Sequence, residues 1–162
     1  MSNKFLLIIL ILLCIILPLR LTQIDKQCFV CPIKYPSDIV IRNDHHGSGV
    51  FASNRNGRRL HQGVDLLADV GTVVYAAKSG KVVCATENKG MGKHVIIQHR
   101  DNFITIYGHL SDIFVRKGDY LHQATAIGSV GKTGNARATS MLAHLHFEIR
   151  KNGVPLDPLE YF

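Results

Sequence analysis

The chain has 162 residues, enough for one globular domain with a targeting segment but not comfortably for two domains. Fourteen Gly, five Pro and no Trp suit a turn-rich β protein better than a helical bundle. The formal net charge is +7, which either solvated surface lysines or attraction to an anionic polymer such as cell wall would explain. No basic run with interleaved aromatic residues is present, so we expect no nucleic-acid partner.

The first 21 residues have the pattern of an export segment. Lys4 precedes an uninterrupted apolar run over residues 5–17, which matches a secretory core and is shorter than the roughly 20 residues of a membrane span. No small-x-small cleavage site follows the run. Residues 1–21 are therefore predicted to be a signal peptide or a short signal anchor. We expect an exported protein of the periplasm or cell envelope, either secreted or tethered to the membrane by this segment.

Residues 22–37 are polar and contain Pro32 and Pro36, so a linker is predicted there. Three cysteines lie outside the export segment, at Cys28, Cys31 and Cys84. Two of them could form a disulfide in an oxidising compartment. A single Cys-x-x-Cys spacing is weak evidence for a zinc or redox motif.

A single domain over residues 38–162 is predicted to consist mainly of antiparallel β-strands. Short β-branched runs alternate with turn residues, and no long window beyond the N-terminus has helical periodicity. Residues 43–60 are predicted to be a long loop. The predicted strands are 39–41, 72–77, 81–86, 95–98, 103–107 and 144–150. The expected fold is a compact sandwich-like or barrel-like sheet.

Histidines at informative spacings lie on these strands. His61 and Asp65 are four residues apart, and His144 and His146 are two apart. Because side chains alternate along a strand, His144, His146 and Glu148 are predicted to share one face, with apolar residues on the other. His109 is predicted to lie at the end of the 103–107 strand.

These segments resemble the lysostaphin/LytM-type zinc endopeptidases. The residues His61-Gln-Gly-Val-Asp65, Tyr107-Gly108-His109-Leu110 and His144-Leu-His146-Phe-Glu148 are similar to the three signature segments of that family, and the order agrees over roughly residues 45–162. The resemblance implies that His61, Asp65 and His146 bind Zn²⁺ and that His109 and His144 are catalytic. It also implies a compact antiparallel β fold and hydrolysis of peptidoglycan cross-bridges or stem peptides.

The implied donor set suits catalysis. Two imidazoles and one carboxylate leave a fourth zinc position open for water, whose pKa zinc can lower to about 7. No HExxH glutamate is present, so His109 and His144 are the candidates for general base and oxyanion stabiliser. The sequence does not assign the two roles. Glu148 could be a partner of His146 or an ordinary surface carboxylate.

Two departures from the family pattern leave an alternative open. Residues 135–143 form a longer approach to His144 than is usual in the family, and we expect them to border the cleft. Residues 43–60 also resemble the leukocyte cell-derived chemotaxin branch, whose members share the fold but are not established hydrolases. The alternative function is a catalytically silent zinc-containing binding or regulatory module. The presence of both His109 and His144 favours activity.

Overall fold

The structure is a computed structural model that describes residues 29–55, 57 and 59–162. The predicted export segment, residues 1–21, lies outside the described residues. Within the described part of the chain, no helix has the length and apolar character needed to cross a membrane.

Short strands make up most of the ordered structure. The strands are β1 (Asn43–Asp44), β2 (Gly47–Ser48), β3 (Asn54–Arg55), β4 (Arg59–Leu60), β5 (Val64–Leu67), β6 (Val73–Tyr75), β7 (Gly80–Asn88), β8 (Gly92–Gln98), β9 (Phe103–Ile113), β10 (Tyr120–Leu121), β11 (Ala126–Val130), β12 (His144–Lys151) and β13 (Val154–Leu156). Two 3-10 helices are Gly134–Ala136 and Pro158–Glu160. The paired strands run antiparallel, which confirms the predicted fold class.

One large sheet carries the fold. Its main path is β10-β7-β8-β9-β11-β6, and β12 joins the side of β9 while also pairing with β5 and β13. The first part of β9 pairs with β12 and its last part pairs with β11. Strand β9 therefore connects β12, with its partners β5 and β13, to the main path of the sheet.

His109 lies where β9 changes partner. The sequence places this residue at a strand end, which is wrong, because β9 continues to Ile113. Two residues of β9, Gly108 and His109, oppose the single residue His94 of β8. Such a bulge bends a strand and redirects a side chain. His109 accordingly has a left-handed backbone with φ of +62°.

Strand β12 separates the core from the polar face as its alternation predicts. Leu145, Phe147 and Ile149 are fully buried in the hydrophobic core. Burying such side chains contributes about 1.5–3 kcal/mol each. His144 and His146 point to the opposite face, so the core packing of β12 fixes the position of both imidazoles.

The described part of the predicted linker over residues 22–37 packs against the sheet. Phe29 and Ile33 are 4% and 3% exposed and belong to the core. The amide of Val30 also donates a hydrogen bond to the carbonyl of Ala77 at 2.9 Å. Although the segment is polar on average, these two apolar residues pack on the sheet. Residues 22–28 lie outside the described residues, so that part of the linker stays a prediction.

Tight turns connect the strands of two hairpins, whereas the region before β5 differs from its prediction. The hairpins between β8 and β9 and between β12 and β13 are present, with positive φ at Asp101, Asn102 and Asn152. The predicted strand at 39–41 is reduced to one bridge, between Ile41 and Leu66. The predicted loop at 43–60 contains the small ladders β1–β2 and β3–β4.

Candidate active site

The candidate site forms where β5, β9 and β12 lie side by side. Asp65 on β5 is directly opposite His146 on β12, and Gly108 on β9 is opposite His146 on the other side. His61 lies three residues before β5 begins. The strand pairing therefore brings together three stretches that are distant in the sequence.

The predicted ligand atoms converge. The Nε2 atom of His61 lies 3.0 Å from Nδ1 of His146 and 3.1 Å from Oδ1 of Asp65. The His146 Nδ1 to Asp65 Oδ1 distance is 2.9 Å. These separations are close to the roughly 3.3 Å expected between tetrahedral ligands with zinc bonds of about 2.0–2.1 Å. All three residues are buried and could hold one metal ion.

The second ring nitrogen of each candidate ligand, His61 and His146, already has a hydrogen-bond partner. His61 Nδ1 donates to the carbonyl of Val50 at 3.0 Å. His146 Nε2 lies 3.0 Å from Oε1 of Glu148, a buried carboxylate that Arg150 also contacts. In each ring one nitrogen must donate to these oxygens. The lone pair of the other nitrogen therefore points at the space between His61, Asp65 and His146, called the ligand cluster below. Glu148 is therefore a partner of His146 and not an ordinary surface carboxylate.

Two arginines hold the second oxygen of Asp65. Oδ2 accepts hydrogen bonds from Arg42 at 2.9 Å and from Arg55 at 2.8 Å. Oδ1 is thereby left to face the two imidazoles. Neither contact could be predicted from the sequence, because neither arginine belongs to a motif with fixed spacing.

His109 and His144 stand beside the ligand cluster. Their ring centroids are 5.1 Å apart, and that of His109 is 5.9 Å from His146. His109 Nδ1 donates to the carbonyl of Thr133 at 3.0 Å, and His144 Nδ1 donates to the carbonyl of Leu142 at 2.7 Å. These bonds leave Nε2 of each ring available for chemistry.

Electrostatics separate the two kinds of histidine. Burial lowers the pKa of His146, but hydrogen bonds with Asp65 and Glu148 outweigh burial and raise the pKa to about 9. Burial lowers the pKa of His109 to about 3, and repulsion from the rings of His144 and His146 when they are protonated adds to the effect. Burial likewise lowers the pKa of His144. His146 thus sits where a cation is favoured, while His109 and His144 are neutral at neutral pH.

The carboxylate of Asp65 belongs to the same cation-favouring cluster. Burial by itself raises the pKa of this carboxyl. Hydrogen bonds from His146 and His61 outweigh burial and hold the pKa of Asp65 far below its ordinary value. The space between these groups therefore favours a positive charge, which a divalent cation could supply.

Comparison with known proteins decides the family. The model of peptidase family M23 matches residues 59–158, which contain all five predicted site residues. The chain belongs to peptidase family M23.

Known relatives of this M23 chain include lipoproteins and peptidases. The lipoprotein NlpD/LppB homolog of Pseudomonas aeruginosa is 40% identical over 114 residues, covering 70% of this chain and 36% of the relative. The peptidoglycan DD-endopeptidase ShyC of Vibrio cholerae is 36% identical over 116 residues, covering 66% of this chain and 26% of the relative. The M23 chain thus spans about a quarter to a third of these relatives' length.

A solved structure extends the likeness to most of the M23 chain. The crystal structure of a zinc-containing peptidase from Vibrio cholerae has a TM-score of 0.65 and 30% identity. The likeness covers 83% of this chain and 40% of that one.

The site of the M23 domain opens into a cleft of about 320 Å³. Asn135 and Met141 line it, which confirms the prediction that residues 135–143 border the cleft. Four arginines and two carboxylates also line it, namely Arg42, Arg55, Arg59, Arg150, Asp65 and Glu148. The cleft therefore has an excess of positive charge.

Proposed function

We propose that this M23 chain is a zinc-dependent endopeptidase that hydrolyses peptide bonds of peptidoglycan in the cell envelope. The observation that carries the proposal is the convergence of one carboxylate oxygen and two imidazole nitrogens within about 3 Å of one another. Three protein ligands are the number typical of catalytic zinc sites, whereas structural sites use four. The relationship to an enzyme named as a peptidoglycan DD-endopeptidase supports the substrate class.

In this proposal His61, Asp65 and His146 hold the ion. When bound, zinc would supply a Lewis acid and a water of lowered pKa. Glu148 keeps the ring of His146 in the tautomer that can act as a ligand, since its carboxylate accepts from Nε2. Arg42 and Arg55 orient Asp65 in the same way.

His109 and His144 carry the proton chemistry. Each ring has its Nδ1 proton fixed on a backbone carbonyl, so each neutral ring presents a basic Nε2 to the cleft. Such a nitrogen can accept a proton from the attacking water and, once protonated, can donate to the leaving amine or the oxyanion. The assignment of base and stabiliser between the two rings stays open.

The charge of the cleft favours an acidic peptide. The side chain of Arg59 is exposed, lines the cleft and makes no hydrogen bond or ion pair with another described residue. Peptidoglycan stem peptides carry free carboxylates, whereas a cross-bridge of glycine does not. We therefore favour a stem peptide as the substrate, because its charge complements that of the cleft.

Export would bring the domain to this substrate. Residues 1–21 are proposed to direct the chain to the periplasm or cell envelope and, if retained, to tether it to the membrane. The lipoprotein name of one relative is consistent with an envelope location.

Digestion of purified sacculi tests the proposed function. Wild type is expected to release new muropeptides detectable by mass spectrometry, while H109A and H144A retain zinc and release none. H122A is the matched control, since His122 is exposed and outside the cleft lining. Unchanged muropeptides with zinc-loaded wild type would favour the alternative, a silent binding or regulatory module.

A further inference from the structure

We propose that Arg42 and Asp44 are positioning residues that connect the ligand Asp65 to the imidazole of His144. The inference rests on the proposed function, because it concerns how two parts of that site are kept in register. Neither residue lies within a sequence motif of the site.

Arg42 is a buried connection between two carboxylates. Its side chain is 2% exposed, and its Nη2 atom donates to Oδ2 of Asp65 at 2.9 Å. Its Nη1 atom donates to Oδ1 of Asp44. The planar guanidinium has fixed donor directions, so two carboxylates bound to it are held at a defined relative position.

The backbone of Arg42 is fixed to the same strand as its side chain. Its amide donates to the carbonyl of Asp65 at 2.8 Å, and its carbonyl accepts from Gly49 at 2.7 Å. A Cβ atom at Gly49 would lie 2.8 Å from both the Arg42 carbonyl oxygen and Cβ of Asp65. Close packing at Gly49 therefore keeps Arg42 against β5.

Asp44 continues the connection to the catalytic side. Its Oδ2 atom accepts a hydrogen bond from the amide of Leu142 at 2.9 Å. The carbonyl of the same Leu142 accepts from Nδ1 of His144 at 2.7 Å. Asp44 thus holds the backbone of Leu142 through its amide, and the carbonyl of Leu142 in turn orients the His144 ring.

Burying the charged side chain of Arg42 costs free energy, so packing alone does not explain its position. Among the described residues, Arg42 Nε is a buried side-chain nitrogen without a hydrogen-bond partner. Burying a charged side chain is often no more stabilising than burying an apolar one of similar size. Arg55 also supplies a second positive charge to Asp65. The distinctive contribution of Arg42 is therefore the geometric link from Asp65 to Asp44.

Two variants separate the two ends of the link. R42M removes both ion pairs and should weaken zinc binding about tenfold or more, as loss of a ligand's partner typically does. D44N leaves Asp65 and its arginine contacts in place, so zinc affinity should change less than about threefold while kcat falls about tenfold with KM little changed. R42K keeps one of the two contacts and should give intermediate zinc affinity.

The readouts distinguish this inference from the proposed function. Zinc affinity is measured by chelator competition, and the His144 tautomer is followed by ¹⁵N NMR of the metal-free protein; neither requires turnover. We expect D44N to lose the single Nδ1-protonated tautomer of His144. R116M is the control, because Arg116 is exposed in the turn before β10. Kinetics use a purified cross-linked muropeptide.

Several outcomes would overturn the inference. Wild-type zinc affinity in a folded R42M variant would contradict the link to Asp65. An unchanged His144 tautomer in D44N would contradict the link to His144. If R42M does not fold, R42K and D44N decide the matter by the same measurements. If wild type proves inactive on sacculi, the proposed function fails, but the affinity and tautomer measurements still test the positioning.

Discussion

Nε2 of His146 lies 3.0 Å from Oε1 of Glu148, two residues further along the same face of β12. Because β12 alternates, the strand that supplies the candidate ligand also supplies the carboxylate that orients it. Glu148 is buried and is also bonded to Arg150, so its own position is fixed. The tautomer of His146 is thus set within one short segment of chain.

Neutralising Glu148 should weaken the metal site. We expect E148Q to bind zinc about tenfold less tightly than wild type, since an amide oxygen is a weaker acceptor for the imidazole proton of His146. Competition with a chromogenic chelator measures the affinity. E87Q is the control, as Glu87 is an exposed carboxylate paired with Arg137. Equal affinities for wild type and E148Q would show that Glu148 does not support the ligand.

Gly134 should not tolerate a side chain, because it packs against the turn between β7 and β8. It directly follows Thr133, whose carbonyl orients His109. Its φ is +65°, and an added Cβ would lie 2.2 Å from the amide nitrogen of Gly92. We expect G134A to lower the free energy of unfolding by about 2 kcal/mol or more, from strain and overpacking. Urea denaturation measures this loss.

The control for that change is G153A, which has a φ of +81° and open space around the added Cβ. It should cost only about 1 kcal/mol, the strain of a left-handed alanine. Similar losses for G134A and G153A would mean that the contact with Gly92 is unimportant.

Much of the site could be predicted from the sequence because its determinants are local. The alternation of β12 places His144, His146 and Glu148 on one face whatever the rest of the fold does. The bulge at His109 and the contacts of Arg42 could not be predicted in this way. They depend on which strands become neighbours, and a period-two pattern contains no information on that pairing.

The N-terminal edge of the domain shows the same limit. Composition over residues 22–37 predicts a linker, yet Phe29 contacts the rings of Phe103 and Tyr161 at centroid distances of 5.4 and 5.8 Å. One well-placed aromatic residue outweighs a polar average, because its burial depends on the surface that the sheet presents to it.

Phe29 should therefore contribute to the stability of the M23 domain. We expect F29A to lower the free energy of unfolding by about 3–5 kcal/mol, the usual cost of truncating a buried phenylalanine. F114A is a matched control at a side chain that is 56% exposed, and it should cost less than about 1 kcal/mol. Chemical denaturation compares the two variants. Equal losses of unfolding free energy would show that Phe29 stabilises the domain no more than an exposed phenylalanine does.

Arg59 should select for acidic substrates. Removing its charge in R59Q is expected to raise KM several-fold for a stem peptide with free carboxylates and to leave KM for an uncharged glycyl peptide unchanged. The KM effect should shrink at high ionic strength, since the charge is exposed. R100Q, at an exposed turn outside the cleft lining, is the control. A similar KM change for both peptides would argue against a charge preference.

Metal content tests the central claim most directly. Wild type and H122A, purified side by side and analysed by mass spectrometry of metals, should each contain about one zinc ion per chain, as expected for a three-ligand catalytic site. H61A should contain almost none, because it loses one of the three converging donors. Equal zinc in all three proteins, or none in wild type after equilibration with zinc, would contradict the account.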